Sequence, residues 1–168
     1  MNPHYDRYLV KKYAPLYRDR FGDMKSTLMC WGFECGDGWF NIINNLSLQF
    51  CSEWLYAKKE YERIAGRVGE RKYLTEDLGD WNPIITEEMV AERKARMFDE
   101  EDKIPVAIQV KEKFGGLRFY IDGGNDEHYA LINFAESLSY NTCEVCGKPG
   151  KANRDGWITT RCNEHRDD

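Results

Sequence analysis

The chain has 168 residues, of which 14% are aromatic, so it can build one compact domain with a small subdomain, and global disorder is not expected. The net charge of −5 disfavours a protein that coats duplex DNA, because such proteins are usually basic. The charge is unevenly distributed: residues 1–28 carry six basic and three acidic groups, whereas residues 53–102 carry nine and fourteen. A local basic patch is therefore compatible with the composition.

No apolar run is long enough to span a bilayer, and the first six residues lack the apolar stretch of a secretory leader. We therefore expect no membrane partner and a cytoplasmic protein in a reducing compartment. Free thiols and a thiolate–metal site both suit such a compartment.

The N-terminal segment predicts a helix. Apolar residues recur every four positions in residues 3–21, and Pro15 within this stretch predicts a kink or a restart. Residues 27–34 alternate loosely in polarity and are a candidate strand.

The middle of the chain predicts two further helices. Apolar residues three and four apart predict a long amphipathic helix over residues 43–64, with Asp37 as its N-cap. Residues 66–85 contain three glycines and a proline and predict a loop. Thr86 is expected to cap a helix that ends near residue 98, followed by an acidic, solvated run over residues 99–102.

Residues 106–122 alternate in polarity around Gly115-Gly116 and predict a β-hairpin with those glycines as its turn. In that register Lys113 opposes Arg118, and Lys111 opposes Tyr120. The predicted core face consists of Ile108, Val110, Phe114, Leu117, Phe119 and Ile121. The predicted outer face consists of Gln109, Lys111, Lys113, Arg118 and Tyr120. Glu112 falls on the apolar face and needs a cationic or hydrogen-bonding partner.

The outer face of this hairpin is a candidate binding surface. Lys113 beside Arg118 is a like-charge pair, which costs free energy unless an anion such as a phosphate bridges the two side chains. Tyr120 is placed to stack on a ligand or to hydrogen-bond to it. The competing interpretation is a solvated strand face, or a face neutralised by nearby acidic residues such as 99–102.

The C-terminal quarter begins with a predicted helix over residues 126–139, capped by Asn125, with Leu131, Ala135 and Leu138 on one face. Two pairs of metal-ligand residues follow. They are Cys143 and Cys146, and then Cys162 and His165. Their spacing is typical of a zinc ribbon or treble-clef knuckle, and Gly147 suits the turn that aims backbone N–H groups at the sulfurs. We predict one structural zinc ion, because four protein ligands leave no open position for a water.

The element over residues 34–39 is a second candidate ligand site, and it includes Asp37 and Trp39. Its glycines allow close backbone approach, and a helix N-terminus there would offer N–H groups to an anion. An N-capping Asp37 would consume those donors instead. A third interpretation pairs Glu34 with Asp37 around a hard cation.

The sequence offers few catalytic candidates. His4 and His128 have no motif partner, and we find no nucleophile elbow, phosphate-binding loop or dinucleotide fingerprint. Cys30, Cys35 and Cys51 form no metal spacing and are expected to be small buried residues. A non-enzymatic role is therefore favoured, although carboxylates alone can support catalysis.

Four segments together resemble a family of small, mostly uncharacterised proteins of bacteriophages and prophages. These are residues 31–39 (WGFECGDGW), residues 109–120 (QVKEKFGGLRFY), residues 143–150 (CEVCGKPG), and the stretch from Gly156-Trp157 to His165. The resemblance covers nearly the whole chain. It implies a phage setting and a C-terminal zinc knuckle, and it supplies no activity. Small accessory phage proteins often act on the host, including its defences, which is an analogy of setting.

The sequence therefore predicts an α+β protein with a small antiparallel sheet, three or four helices and a zinc knuckle. We expect an α+β domain over residues 1–140 and a knuckle subdomain over residues 141–168 packed on it. The leading function is a non-enzymatic binding protein for an anionic small molecule or host factor, for instance one that sequesters a host nucleotide signal. The alternatives are a nucleic-acid-binding accessory factor, a carboxylate-dependent metal hydrolase, and a protein–protein inhibitor of a host enzyme. The sequence does not indicate an oligomeric state.

Overall fold

A computed structural model of the protein describes residues 1–73, 82–153 and 156–166. The described residues form an α+β fold, as predicted. The helices are α1 (Pro3–Lys12), α2 (Phe40–Ile64), α3 (Glu87–Asp102) and α4 (Asp126–Ser139). The strands are β1 (Phe33–Glu34), β2 (Val106–Lys113), β3 (Gly116–Asp122), β4 (Lys151–Ala152) and β5 (Thr160–Arg161).

The chain divides into two compact units. The first unit contains residues 1–51 and 104–168, and the second contains residues 52–103. The zinc knuckle falls within the first unit. The boundary at residue 140 that we drew from the sequence stays a prediction.

Helix α1 ends sooner than predicted. Asn2 caps its start by accepting hydrogen bonds from the backbone of His4 and Tyr5, and its last residue is Lys12. Pro15 disfavours helical geometry in the residue before it, so the chain turns there and resumes as a short 3-10 helix, Arg18–Phe21. The kink or restart expected at Pro15 is therefore confirmed, whereas residues 13–17 form turns and not helix. The segment still supplies core side chains: Leu9, Tyr13, Leu16 and Tyr17.

The first unit contains a three-stranded sheet in the order β1-β2-β3. Strand β2 pairs antiparallel with β3 and parallel with β1, so the sheet is mixed and not antiparallel throughout as predicted. Only Phe33–Glu34 of the candidate strand 27–34 joins it, because Met29–Trp31 form a 3-10 turn. Val110, Leu117, Phe119 and Ile121 are buried on the core face, as predicted.

Helix α4 covers the outer edge of β3. The backbone N–H groups of Leu117 and Phe119 donate hydrogen bonds to Ser139 Oγ and Glu136 Oε1, at 2.8 and 3.0 Å. These two bonds occupy donors that an edge strand would otherwise leave open to another chain. The predicted N-cap is confirmed, since Asn125 accepts a hydrogen bond from the His128 N–H.

The buried face of α4 differs from the one predicted. It contains Ile132, Ala135 and Ser139, whereas Leu138 is 41% exposed. The two faces differ by about one residue of helical rotation, which a periodicity of 3.6 residues does not resolve in a short helix.

The second unit contains the C-terminal part of α2 and helix α3. Thr86 caps α3 by accepting a hydrogen bond from the Met89 N–H, as predicted. The helix ends at Asp102 and thus includes the acidic run, which Lys103 stabilises through ion pairs with Asp99 and Glu100. In the predicted loop over residues 66–85, Arg71 and Ile84 form an isolated bridge. Residues 74–81 lie outside the described residues.

Candidate functional site

Cys143, Cys146, Cys162 and His165 form a site for one structural zinc ion. Their ligand atoms all lie within 4.8 Å of one another. Zn–S bonds of about 2.3 Å and Zn–N bonds of about 2.0 Å in a tetrahedron require about 3.8 Å between sulfurs and about 3.5 Å between sulfur and nitrogen. The Cys146 and Cys162 sulfurs are 3.7 Å apart, and the Cys143 sulfur is 3.6 Å from His165 Nδ1. The Cys162–His165 separation is 3.2 Å. The predicted ligand set is confirmed.

The two ligand pairs come from different local structures. Gly147 has φ of +76°, and its N–H bonds to Cys143 O, which closes the turn around the first pair. Burial on its own would raise the pKa of Cys143. Hydrogen bonds from backbone N–H groups outweigh burial and lower this pKa to about 6. The thiolate that a metal requires is thus favoured. Strand β5 leads to Cys162, and the 3-10 turn Asn163–His165 brings the histidine to the site.

Glu144, between the first two zinc ligands, connects the knuckle to the segment before α2. Its carboxylate accepts a hydrogen bond from Gly36 N at 2.8 Å, and its carbonyl accepts one from Gly38 N at 2.7 Å. Trp39 Nε1 donates to Thr142 O at 2.8 Å. The knuckle is therefore fixed to the element over residues 34–39 by three hydrogen bonds.

These contacts correct three predictions for the element over residues 34–39. Asp37 is not a helix cap, because its carboxylate accepts hydrogen bonds from Asn2 N and Asn2 Nδ2 at 2.7 and 2.6 Å. The backbone donors expected to bind an anion are bonded to Glu144. Trp39 is fully buried, so it is a packing residue with no surface for a ligand.

The hairpin register is shifted by two residues from the predicted one. The turn is Phe114-Gly115, with φ of 52° and 76°, so Lys111 opposes Arg118 and Gln109 opposes Tyr120. A shift of two keeps the side chains on their predicted faces except near the strand start and at Phe114, which becomes part of the turn. The like-charge pair is thus Lys111 with Arg118.

Two predicted core residues of the hairpin are exposed. Phe114 lies in the turn and is 65% exposed. Ile108 is 37% exposed because the register changes between Ala107 and Gln109, and this bulge buries Ala107 in its place. Glu112 finds the hydrogen-bonding partner that we expected, since it accepts a bond from Gly115 N at 2.7 Å.

The outer face of β2 and β3, which we call the cationic face, holds Gln109, Lys111, Lys113, Arg118 and Tyr120. Arg118 donates to the Tyr140 hydroxyl at 2.7 Å and lies 3.6 Å from Glu136, so α4 holds it in place. Partial burial opposes the resulting rise in its pKa without cancelling it. Gln109 donates to Glu34, and Tyr120 is 39% exposed.

Lys111 and Lys113 form no ion pair within residues 1–73, 82–153 and 156–166. Both line a cleft of about 460 Å³ between the hairpin turn and the β4–β5 loop, which we call the tip cleft. Phe114 and Trp157 also line it, and Trp157 is 81% exposed.

Sequence reasoning did not identify Phe114 or Trp157 as site residues. Phe114 follows the alternating core pattern, so it was placed in the core. Trp157 carried a usable signal: a large apolar residue between two ligand pairs of a small knuckle has little core in which to be buried.

The buried cysteines outside the zinc site are not activated. Burial raises the pKa of both Cys35 and Cys51 to about 12. Their thiols therefore stay protonated at neutral pH, which agrees with the packing role predicted for them.

Comparisons with protein-family models, with curated proteins and with solved structures give no match to this chain. Among the described residues, no helix combines the length and apolar character needed to cross a bilayer.

Proposed function

We propose that this protein is a non-enzymatic binding protein for a small anionic ligand of the nucleotide class. The ligand's phosphate binds the cationic face, and its base enters the tip cleft. The observation that carries this proposal is the cleft itself, which places Lys111 and Lys113 beside Phe114 and Trp157. Glu112 also lines the cleft, and its carboxylate accepts a hydrogen bond from Gly115 N.

The charge arrangement supports an anionic ligand. Lys111 and Arg118 are cross-strand neighbours, and such a like-charge pair costs roughly a few tenths of a kcal/mol, of which the carboxylate of Glu136, 3.6 Å from Arg118, offsets a part. Lys113 adds a third positive charge two residues along the same strand. A bound phosphate relieves this repulsion and accepts charge-assisted hydrogen bonds from the lysines.

The exposed rings support a planar group on the same ligand. Phe114 and Trp157 are 65% and 81% exposed, although burial of rings of this size is favourable. Base–aromatic stacking contributes about 1–3 kcal/mol for each base. A volume of about 460 Å³ also lies within the usual range for small-molecule sites.

The resemblance to phage proteins suggests where such a ligand would be found. In that setting the ligand is a host nucleotide signal, and capturing it would counter a host defence. The proposal for the site rests on its chemistry and is tested independently of this setting.

The first experiment identifies the natural ligand. The protein is purified under mild conditions and denatured by heat, and released small molecules are analysed by mass spectrometry. We expect an intact nucleotide to be released in stoichiometric amounts.

The second experiment tests the residues. Titration calorimetry with AMP, GMP and dTMP compares the wild type with the double variant Lys111→Gln, Lys113→Gln. We expect affinity to fall at least tenfold, which is about 1.4 kcal/mol. The pair Lys59→Gln, Lys94→Gln removes the same charge from exposed helix positions and is expected to change nothing. Equal affinity in both variants, with zinc content unchanged, would contradict the proposal.

A further inference from the structure

A second cleft opens at the other end of the cationic face. It has a volume of about 410 Å³ and is lined by Met24, Lys25, Leu28, Ile108, Gln109 and Tyr120. Three of these apolar or aromatic side chains are well exposed, with Met24 at 59%, Leu28 at 49% and Tyr120 at 39%. We call it the base cleft, after the base of the hairpin and not after a nucleobase, because it lies at the opposite end of the hairpin from the tip cleft.

The cationic face joins the two clefts. Gln109 and Tyr120, which line the base cleft, are paired across the strands. The next residues outward on the same face are the paired Lys111 and Arg118, followed by Lys113, which lines the tip cleft. Residues two apart on a strand are about 7 Å apart, so the face from Gln109 to Lys113 is about 14 Å long.

A mononucleotide fills only one end of this arrangement. Its base occupies the tip cleft and its phosphate reaches Lys111 or Lys113. The base cleft then has no ligand group to bind. Like the tip cleft, it combines a lysine, Lys25, with exposed apolar and aromatic side chains.

We propose that the cationic face and its two clefts together bind a single-stranded nucleic acid segment of at least three nucleotides. The terminal bases of the segment occupy the two clefts, and the intervening phosphates lie along Lys111, Arg118 and Lys113. This inference rests on the proposed function and extends its ligand from one nucleotide to a short strand. Alternation of aromatic platforms with cations is the arrangement that binds single strands without reading their sequence.

Glu34, an acidic residue beside the cationic face, provides a further test of the inference. Glu34 of β1 is paired in register with Lys111, and its carboxylate accepts a hydrogen bond from Gln109. A carboxylate at this position repels a phosphate bound to Lys111. Replacing it with the isosteric, neutral glutamine therefore tightens binding of a strand that passes over the face.

The net charge of the unit that carries the cationic face determines how strongly it attracts a nucleic acid strand at long range. Residues 52–103 hold ten basic and fourteen acidic groups, and the rest of the chain holds fourteen and fifteen. The unit that carries the face is thus nearly neutral, so binding depends on local contacts more than on long-range attraction.

The experiment measures affinity as a function of ligand length. The full-length, zinc-loaded protein is titrated with dTMP and with oligo(dT) of two, three, four, six and eight nucleotides, and with oligo(rU) of eight. We expect affinity to rise steeply up to three or four nucleotides and then to level off. For three phosphates the slope of log affinity against log salt is expected to be about −2.

Variants in the base cleft separate the inference from the proposed function. Leu28→Gln and Lys25→Gln, at residues that line the base cleft and lie outside the cationic face, are expected to weaken binding of the four-nucleotide strand at least fivefold and to leave dTMP affinity unchanged. Glu34→Gln is expected to strengthen strand binding about threefold. Leu138→Gln, at an exposed leucine of α4 that lines neither cleft, is the matched control and is expected to have no effect.

Each alternative result has a defined meaning. If dTMP binds and longer strands bind no more tightly, the proposed function stands and this inference is overturned. If none of AMP, GMP and dTMP and no strand binds to zinc-loaded protein, both are overturned. If strands bind but Leu28→Gln, Lys25→Gln and Glu34→Gln leave their affinity unchanged, the strand does not cross this face and the inference is overturned.

Discussion

Thr160 of the zinc knuckle donates a hydrogen bond from Oγ1 to the carbonyl oxygen of Gly115 in the hairpin turn, at 2.6 Å and out of contact with solvent. The knuckle and the cationic face are thereby joined at the point where the tip cleft opens. Trp157 lies three residues before Thr160 on the same loop. The position of this cleft wall therefore depends on β5, which ends at Arg161, directly before the zinc ligand Cys162.

The first prediction concerns removal of the metal. Chelation of zinc, or the variant Cys146→Ser, is expected to abolish stoichiometric zinc binding and to raise amide hydrogen exchange in residues 141–153 and 156–166. Helix α1 is expected to keep its protection, since Asn2 caps its start and the zinc ligands come from residues 143–165. The physical reason is that zinc binding supplies the folding free energy of small knuckles.

Loss of zinc is also expected to lower nucleotide affinity, because the wall that carries Trp157 is no longer held. Cys30→Ser is the matched control, since this thiol lies outside the zinc site and donates to Thr27 O. Retention of full ligand affinity in metal-free protein would show that the knuckle does not form part of the binding site.

The second prediction concerns the bond between Thr160 and Gly115. Thr160→Val keeps the shape of the side chain and leaves the buried carbonyl without its donor, so we expect a loss of about 1–3 kcal/mol in the free energy of unfolding. Urea denaturation followed by fluorescence measures this loss. Thr159→Val, one residue earlier, removes a hydroxyl from the same loop and is expected to cost less than 0.5 kcal/mol. Equal losses in the two variants would contradict the role given to this bond.

The hairpin shows why some of the fold could be predicted and some could not. Alternation of polarity fixed the two faces, because a register shift of two residues leaves them unchanged. The turn was misplaced because Gly115-Gly116 offers two glycines and the turn uses only the first. An added Cβ at Gly116 would lie 2.6 Å from the Tyr140 hydroxyl, so Gly116 is required for packing against a residue 24 positions away. Local sequence does not contain that information.

The candidate site also has parts that the sequence predicts and parts that it does not. The zinc ligands were predictable because their spacing and chemistry are both local. The failure of Asp37 as a cap and of Trp39 as a ligand-binding residue was not predictable, because both depend on distant partners. Asp37 is bonded to Asn2, and Trp39 is buried beside Thr142. The tip cleft likewise requires Phe114 and Trp157 to meet across the fold.

The third prediction concerns Gly38, where the segment before α2 meets the knuckle. A Cβ added there would overlap Cys143 O and lie 2.5 Å from Gly147 N. These are backbone atoms beside zinc ligands and cannot move without disturbing the metal site. Gly38→Ala is therefore expected to destabilise the protein by about 3 kcal/mol or more and to weaken zinc binding.

Gly66→Ala is the control for this variant. Gly66 has φ of +75° and no atom within 4 Å of an added Cβ, so its substitution costs only the left-handed backbone penalty of about 1–2 kcal/mol. Zinc affinity is measured by competition with a chromophoric chelator. A Gly38→Ala protein with wild-type zinc affinity would show that the close approach of these two segments is not needed by the metal site.

The fourth prediction concerns the pH dependence of α4. Burial lowers the pKa of His128 below its usual 6.5, and the nearby Glu127 opposes the shift without cancelling it. The neutral ring accepts a hydrogen bond from Asn125 N at Nδ1, which completes the capping box and is lost on protonation. The unfolded chain thus binds this proton more readily than the folded one, and stability falls as the pH drops below 6.5.

The variant His128→Gln isolates this effect from acid release of zinc. Glutamine at the same helix position can accept the hydrogen bond from Asn125 N and does not titrate. Urea midpoints at pH 7.5, 6.5 and 5.5 are therefore expected to fall further in the wild type than in the variant. Loss of the ring contact with Phe50 lowers the urea midpoint of the variant by the same amount at every pH. The comparison of slopes against pH is therefore unaffected. Parallel slopes would show that protonation of His128 does not weaken the start of α4.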